Sequence, residues 1–395
     1  MTNLDQAWKK YLAEVEEVRQ LFLDEPIVRE NPLAEAAAYT LLHQTIALSY
    51  NTVMAPRQDF PVFLLQAYLD PYVYLGHLPC PDFVHRMCFL NGTRTWRIWG
   101  KRNNCHWVDI QVERGFWGEP GFTCLANYDF DDFEIGADGT YEIIASPEPQ
   151  PGNWIKLDAS SGNNNLLIRQ ATYDWTREIG IEYNIEPLDP MPPRSIVLDS
   201  DEVIRRLDLA GRMMKHCVNI WTAPASRRLL RHTRMNEFVV RRGDGGRGAN
   251  PLAQYAQGLF EIADDEALIV EADVPRAKYW SIQLGNWWWE TLDYSHHKSS
   301  INGFQAVPDV DGKFRAVIAR RDPGVPNWLD PIAWNTGLML IRWYRADSEL
   351  AVRPERVPLA ELRRHLPAET AALTAGQRRD EVRGRHQGTL RRYGY

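Results

Sequence analysis

Asp311-Gly312-Lys313-Phe314-Arg315-Ala316-Val317, then Pro326-Asn327-Trp328-Leu329, then Met339-Leu340-Ile341-Arg342 is the run that decides the fold, because the chain carries it twice. Its earlier counterparts are Asp138-Gly139-Thr140-Tyr141-Glu142-Ile143-Ile144, Gly152-Asn153-Trp154-Ile155 and Leu166-Leu167-Ile168-Arg169, always 173 or 174 residues upstream. Three blocks in one order at one spacing mark an internal duplication, and a repeat sets the architecture before any single element does. Asp-Gly suits the positive-φ positions of a tight hairpin, the flanking residues are β-branched or aromatic, and no helical crossover separates the blocks. Each copy reads as a hairpin, a loop with a buried Asn-Trp, and a closing strand ending in Arg. The expected fold is mainly β with accessory helices, as two duplicated jelly-roll or β-sandwich units. Upstream, Tyr279-Trp280-Ser281-Ile282 is expected to answer to Thr95-Trp96-Arg97-Ile98.

Outside the repeats the apolar period lengthens. Trp8, Tyr11, Leu12, Val15, Val18 and Phe22 form one stripe of an amphipathic helix. Asn31-Pro32 opens a second helix that runs toward Tyr50. A third opens at Asp199, with Glu202 three residues on, and is expected to end at Ala223-Pro224. Arg241 to Gly248 is a glycine-rich connection without the Gly-Lys-Ser/Thr ending of a phosphate loop. The expected division is a helical segment over 1–70, a first β unit over 71–188, a helical connector over 189–254, a second β unit over 255–347 and an Arg-rich tail over 348–395. One short helix is expected in that tail, near Leu359 to Leu366. Glu355, Glu361, Glu369, Asp380 and Glu381 interleave its arginines, which suits a solvated or subunit-bridging segment better than a nucleic-acid arm.

The 395 residues carry 45 Lys+Arg against 52 Asp+Glu, a net charge of −7, which argues against a nucleic-acid partner. No apolar run approaches the roughly 18 residues of a membrane span, and Asp5 stands where a signal peptide needs a basic start, so a cytoplasmic protein without a membrane partner is expected. The five cysteines show no C-x-x-C spacing and read as reduced, mostly buried thiols. His296 and His297 are adjacent and cannot share a metal from a regular strand, and Asp309-x-Asp311-Gly312 has Arg320 where a calcium loop has glutamate. Neither G-x-S-x-G nor G-x-G-x-x-G occurs. No metal and no cofactor are therefore expected.

The densest segment is Gly285-Asn286-Trp287-Trp288-Trp289-Glu290-Thr291-Leu292-Asp293-Tyr294-Ser295-His296-His297. Three successive indoles in an extended chain point to both faces, so at least one cannot share the core with its neighbours. The segment is expected to answer to Gly100 through Ile110 in the first copy, and residues that differ between copies make the second copy the site-bearing one. One reading is a metal- and nucleotide-independent enzyme, a lyase, hydratase, isomerase or hydrolase, that works by acid/base chemistry on a small apolar or aromatic molecule. His296 is its base, Asp293 or Glu290 orients it, and Tyr294 donates to a developing oxyanion. Trp287, Trp288, Trp289, Asn302, Trp328 and Asp330 line the pocket. The alternative is a non-catalytic ligand- or carbohydrate-binding protein, or a homo-oligomer whose Trp stripe is a subunit interface.

The run Asn327-Trp328-Leu329-Asp330, Gly337 and Leu340-Ile341-Arg342-Trp343, preceded by Tyr279-Trp280-Ser281-Ile282 and an Asp-Gly hairpin, resembles the bacterial domain of unknown function 1214. The resemblance covers residues 255 to 347 well and 80 to 188 weakly. It implies a β-sandwich or jelly-roll fold, commonly of two β domains and often oligomeric, and no activity.

Overall fold

The computed structural model describes residues 2–65, 77–190, 196–243 and 250–394, so most of the glycine-rich stretch lies outside the described residues. The first unit runs β1 (Leu64–Leu65), β2 (Phe83–Leu90), β3 (Trp96–Lys101), β4 (Trp107–Arg114), β5 (Thr123–Asp129), β6 (Thr140–Ser146), β7 (Trp154–Lys156), β8 (Asn164–Ala171) and β9 (Asn184–Pro187). The second runs β10 (Val239–Arg242), β11 (Ala253–Glu261), β12 (Glu266–Asp273), β13 (Tyr279–Gly285), β14 (Ser300–Asn302), β15 (Lys313–Ala319), β16 (Trp328–Leu329), β17 (Thr336–Tyr344) and β18 (Val352–Pro358).

The sheet orders are β1-β2-β8-β4-β5 with β7-β6-β3-β9, and β10-β11-β17-β13-β14 with β16-β15-β12-β18. They match strand for strand, so the duplication is one of whole sandwiches. Local chemistry repeats with it. Gly139 and Gly312 take φ of 80° and 77° in the two Asp-Gly turns. Asn153 and Asn327 each clasp an earlier backbone, at Glu134 and Val307, accepting from its N–H and donating to its carbonyl. The indoles of Trp154 and Trp328 donate to the carbonyls of Ser146 and Ala319, the matching residues of β6 and β15.

One alignment is corrected. β4 answers to β13, so Tyr279-Trp280-Ser281-Ile282 corresponds to Trp107-Val108-Asp109-Ile110, and Trp96 opens β3, whose counterpart is β12. Register fixes this, since Asp109 faces Arg169 and Ser281 faces Arg342. β3 and β13 both carry Trp two residues before Ile, whereas in β4 Trp107 stands three before Ile110, which is why a short match picked the wrong strand. The Trp287 to His297 segment follows β13 and therefore answers to the stretch after β4, beginning at Gly115-Phe116-Trp117.

Alternation builds each sandwich core. Val108, Ile110, Val112, Leu166 and Ile168 of one sheet meet Ile98, Tyr141 and Ile143 of the other. In the second copy Ile282, Leu284, Met339 and Ile341 meet Leu268, Val270 and Phe314. The opposite faces of the two five-stranded sheets turn toward each other, with Phe83, Trp107 and Ala171 against Ala253, Tyr279 and Tyr344.

Helices fill the remaining flanks. Of α1 (Asn3–Leu23), α2 (Pro26–Glu30) and α3 (Pro32–Ser49), the first and third bury Val18, Phe22, Ala34, Ala38 and Leu41 against the second sandwich. Trp8 and Leu12, at the start of the same stripe, stay about half exposed. The Asp199 side chain caps α4 (Ser200–Trp221) by accepting from the Glu202 amide. Pro224 does not end the helical region; it starts α5 (Ala223–Leu229) in the first turn, where its missing N–H costs nothing. α4 covers Met87, Phe89 and Leu167 of the first sheet, and α5 covers Leu259 and Leu338 of the second.

The tail also differs from expectation. β18 pairs with β12, which carries the second unit past residue 347. A 3-10 turn at Leu359–Arg364 is the short helix, but α6 (Ala375–Tyr393) follows it. The Arg-rich sequence looks solvated, yet Arg378 and Arg385 are buried, Arg378 on Asp322 and the Val325 carbonyl, Arg385 on the carbonyls of Tyr294 and Ser300. Among the described residues no helix is long and apolar enough to cross a membrane.

The two clasps give a test of the duplication. Asn153→Ala and Asn327→Ala should each cost about 1–3 kcal/mol, with the buried Asn327 the costlier, and the costs should add because the sites are far apart. Urea unfolding of both single variants and the double variant measures this; two silent variants would contradict the clasp.

Candidate functional site: a cavity between the sandwiches

β8 and β17 each carry one arginine near the end, directly after a short apolar run, Arg169 after Leu166-Leu167-Ile168 and Arg342 after Leu338-Met339-Leu340-Ile341. In each strand the neighbouring isoleucine points into its own sandwich, so the arginine points to the other face. Because those faces look at each other, the two guanidiniums converge on one cavity of about 200 Å³. Phe83, Trp117, Trp221, Trp289 and Leu340 supply its apolar wall, and His77, Cys80, His85, Tyr255 and Tyr344 its polar groups.

The wall is built under strain. His77, Leu78 and Trp289 take φ of 65°, 55° and 61°, a region side chains larger than glycine avoid. Such residues persist where surrounding contacts over-determine them, and they gather at ligand sites. For Trp289 the restraint is visible: its indole donates to Ser226 Oγ at 2.9 Å, and the same hydroxyl donates to the Trp287 carbonyl.

The arginines differ in their partners. Arg169 donates to Asp109 Oδ2 and to Gln111 Oε1, both at 2.9 Å, and Asn250 holds Asp109 from the other side at 2.8 Å. Arg342 donates to Gln283, the counterpart of Gln111, and to the Leu78 carbonyl at 3.2 Å. Among the described residues it pairs with no carboxylate. Burial, helped by the two guanidinium charges, pushes the His85 imidazole down to about 3. Burial alone takes His77 to about 4. Both rings are thus neutral near pH 7, and the Tyr255 and Tyr344 hydroxyls meet at 3.2 Å.

Of the residues expected from sequence, only Trp289 lines this cavity. Trp288 is a core residue, edge-on to Phe22 and donating to the Ala34 carbonyl. Trp287 is half-buried beside it. Trp328 packs under α6, with the Arg378 guanidinium 5.1 Å from its ring. His296 Nδ1 does make the predicted contact, donating to Asp293 Oδ2 at 2.9 Å, but its ring is half exposed and lies against His386. Tyr294 is buried between Trp175 and Tyr393. Asp330 holds His297 at 2.8 Å, which raises that imidazole. Asn302 donates to Asp82 Oδ1 at 2.6 Å in the joint between the units. Glu290 is buried on Asn286. Of the expected acid/base set, His296 and Asp293 pair near the surface while Tyr294 and Glu290 are buried in other contacts, and none of the four lines this cavity. Polar residues beside clustered indoles mimic a pocket in sequence; the readable signal was an arginine closing an apolar run, present in both repeats.

A duplicated pair of β-sandwiches with a shared, strained, arginine-bearing cavity is the class of protein this geometry defines. Residues 262–348 match the family model described as a protein of unknown function, DUF1214, which spans β12 through β17. The crystal structure of an uncharacterized protein from Burkholderia cenocepacia is similar over 90% of this chain and 97% of its own, with 25% identity and a TM-score of 0.82. A Vibrio parahaemolyticus protein of solved structure aligns over 89% of this chain and 99% of its own, with 12% identity and a TM-score of 0.45. No curated protein matches the sequence.

Two buried carboxyls set a pH dependence. Burial raises Glu290 and Glu113 to about 7, against 4.5 for an ordinary glutamate. Between those values the folded protein binds more protons than the unfolded chain, so stability falls as pH rises through the window, by roughly 3 kcal/mol per group. Glu290→Gln should flatten that slope in urea melts between pH 4.5 and 8, and an unchanged slope would reject the assignment.

Proposed function

We propose that this protein binds a small organic acid with an aromatic or apolar body in the cavity between its sandwiches. The observation that carries this is Arg342, a buried guanidinium that among the described residues meets no carboxylate and faces a wall of indoles, phenols and leucine. A buried charge is costly unless paired, and a site of few polar groups in an apolar wall is how small ligands are held. An acid supplies the missing anion and leaves its body to the indoles. Binding is favoured over acid/base turnover because the groups around His296 lie elsewhere and burial leaves His77 and His85 only weakly basic.

Calorimetric titration with benzoate, phenylacetate and hexanoate, each against its neutral amide, tests this. The acids should bind and the amides should not, and Arg342→Gln should weaken the acids about 10- to 100-fold. Equal binding of amides, or full affinity in the variant, would overturn the reading. A chemically altered probe recovered after incubation would instead make the cavity catalytic.

A further inference from the structure

The duplication makes an internal control. In the first copy the arginine of β8 has two side-chain acceptors on β4, Gln111 and Asp109. In the second copy Gln283 repeats the first, but the residue in register with Arg342, in the place of Asp109, is Ser281. Ser281 is buried, and its Oγ has no hydrogen-bond partner. Another carboxylate of the joint, Asp82, is engaged by three neutral donors, Tyr279, Trp175 and Asn302, and forms no ion pair with Arg342. The two arginines of the cavity thus differ in their pairing: Arg169 is ion-paired with Asp109, and among the described residues Arg342 is paired with no carboxylate.

Resting on the reading above, we infer that the cavity selects monoanions, with the ligand's single acid group taking on Arg342 the role that Asp109 plays on Arg169. A second negative charge would find no second cation, because Arg169 already holds its own carboxylate. A neutral ligand would leave Arg342 as unpaired as before. The acid group is thereby directed toward the second sandwich, and the body toward Trp117, Trp221 and Trp289.

Benzoate and phenylphosphonate share a ring but carry one and two negative charges at pH 8.5, so they test this in the unaltered protein. Benzoate should bind at least tenfold more tightly. Ser281→Asp, which restores the carboxylate of the first copy, should lower benzoate affinity tenfold or more and raise the melting temperature of the ligand-free protein. Asp109→Asn, which leaves Arg169 uncompensated, should shift the preference toward phenylphosphonate. If the unaltered protein binds benzoate but prefers the dianion, or Ser281→Asp binds benzoate undiminished, the monoanion inference fails while the acid-binding reading stands. If it binds neither probe nor any acid of the earlier panel, both fall together.

Discussion

Asp82 is a fully buried carboxylate hydrogen-bonded by neutral donors, and the two sandwiches meet around it. It stands just before β2 in the first unit and accepts from Tyr279 Oη and Asn302 Nδ2 of the second, at 2.6 Å each, and from Trp175 Nε1 at 2.8 Å. A buried anion is tolerable only when several donors point at it. The second unit therefore has one position and one angle relative to the first. The spacing of Arg169 and Arg342, and the width of the cavity between them, inherit that constraint.

Neither sandwich owns the cavity. Each contributes the outer face of its five-stranded sheet, a face that in an isolated copy would expose an arginine together with aromatic and apolar side chains. Packed together, the faces touch at the Tyr279 and Tyr344 end and are prised apart where α4 and α5 cover them. Duplication made the two faces alike in strand order, and substitutions along one strand, Asp109 and Glu113 against Ser281 and Gly285, made them electrically unlike. A symmetric fold thereby encloses an asymmetric pocket.

Local chemistry was legible in the sequence. Asp-Gly turns, the Asn-Trp loops and the Asp199 cap act within a few residues of themselves, so their reading survived into the structure with matching partners in both copies. The order of the long-range pairings was not legible at the same level: Trp96 and Trp107 sit in equally plausible strand patterns, and only register against Arg169 separates them. The triple indole shows the same limit. Its residues were expected to diverge, and they do, but which one reaches a cavity depends on α1, α3 and α5, whose approach no spacing in the segment encodes. α6 was missed because arginine signals solvent on average, whereas Arg385 lies over the Trp175 ring at 4.6 Å and donates to buried carbonyls.

The packing of α1 and α3 on the second sandwich has a consequence for how the chain matures during synthesis. Val18 and Phe22 have Trp288 among their partners, so the helices made first must wait for residues translated more than two hundred positions later. The first sandwich, contiguous from β1 to β9, can close meanwhile on its own core. A nascent chain therefore passes through a stage with one finished sandwich and an uncovered amphipathic helix, a period when long-range contacts are owed and apolar surface is open to other chains. Exposure of that helix to a holdase, timed against the emergence of β13, would set the yield of this protein more than the speed of either sandwich.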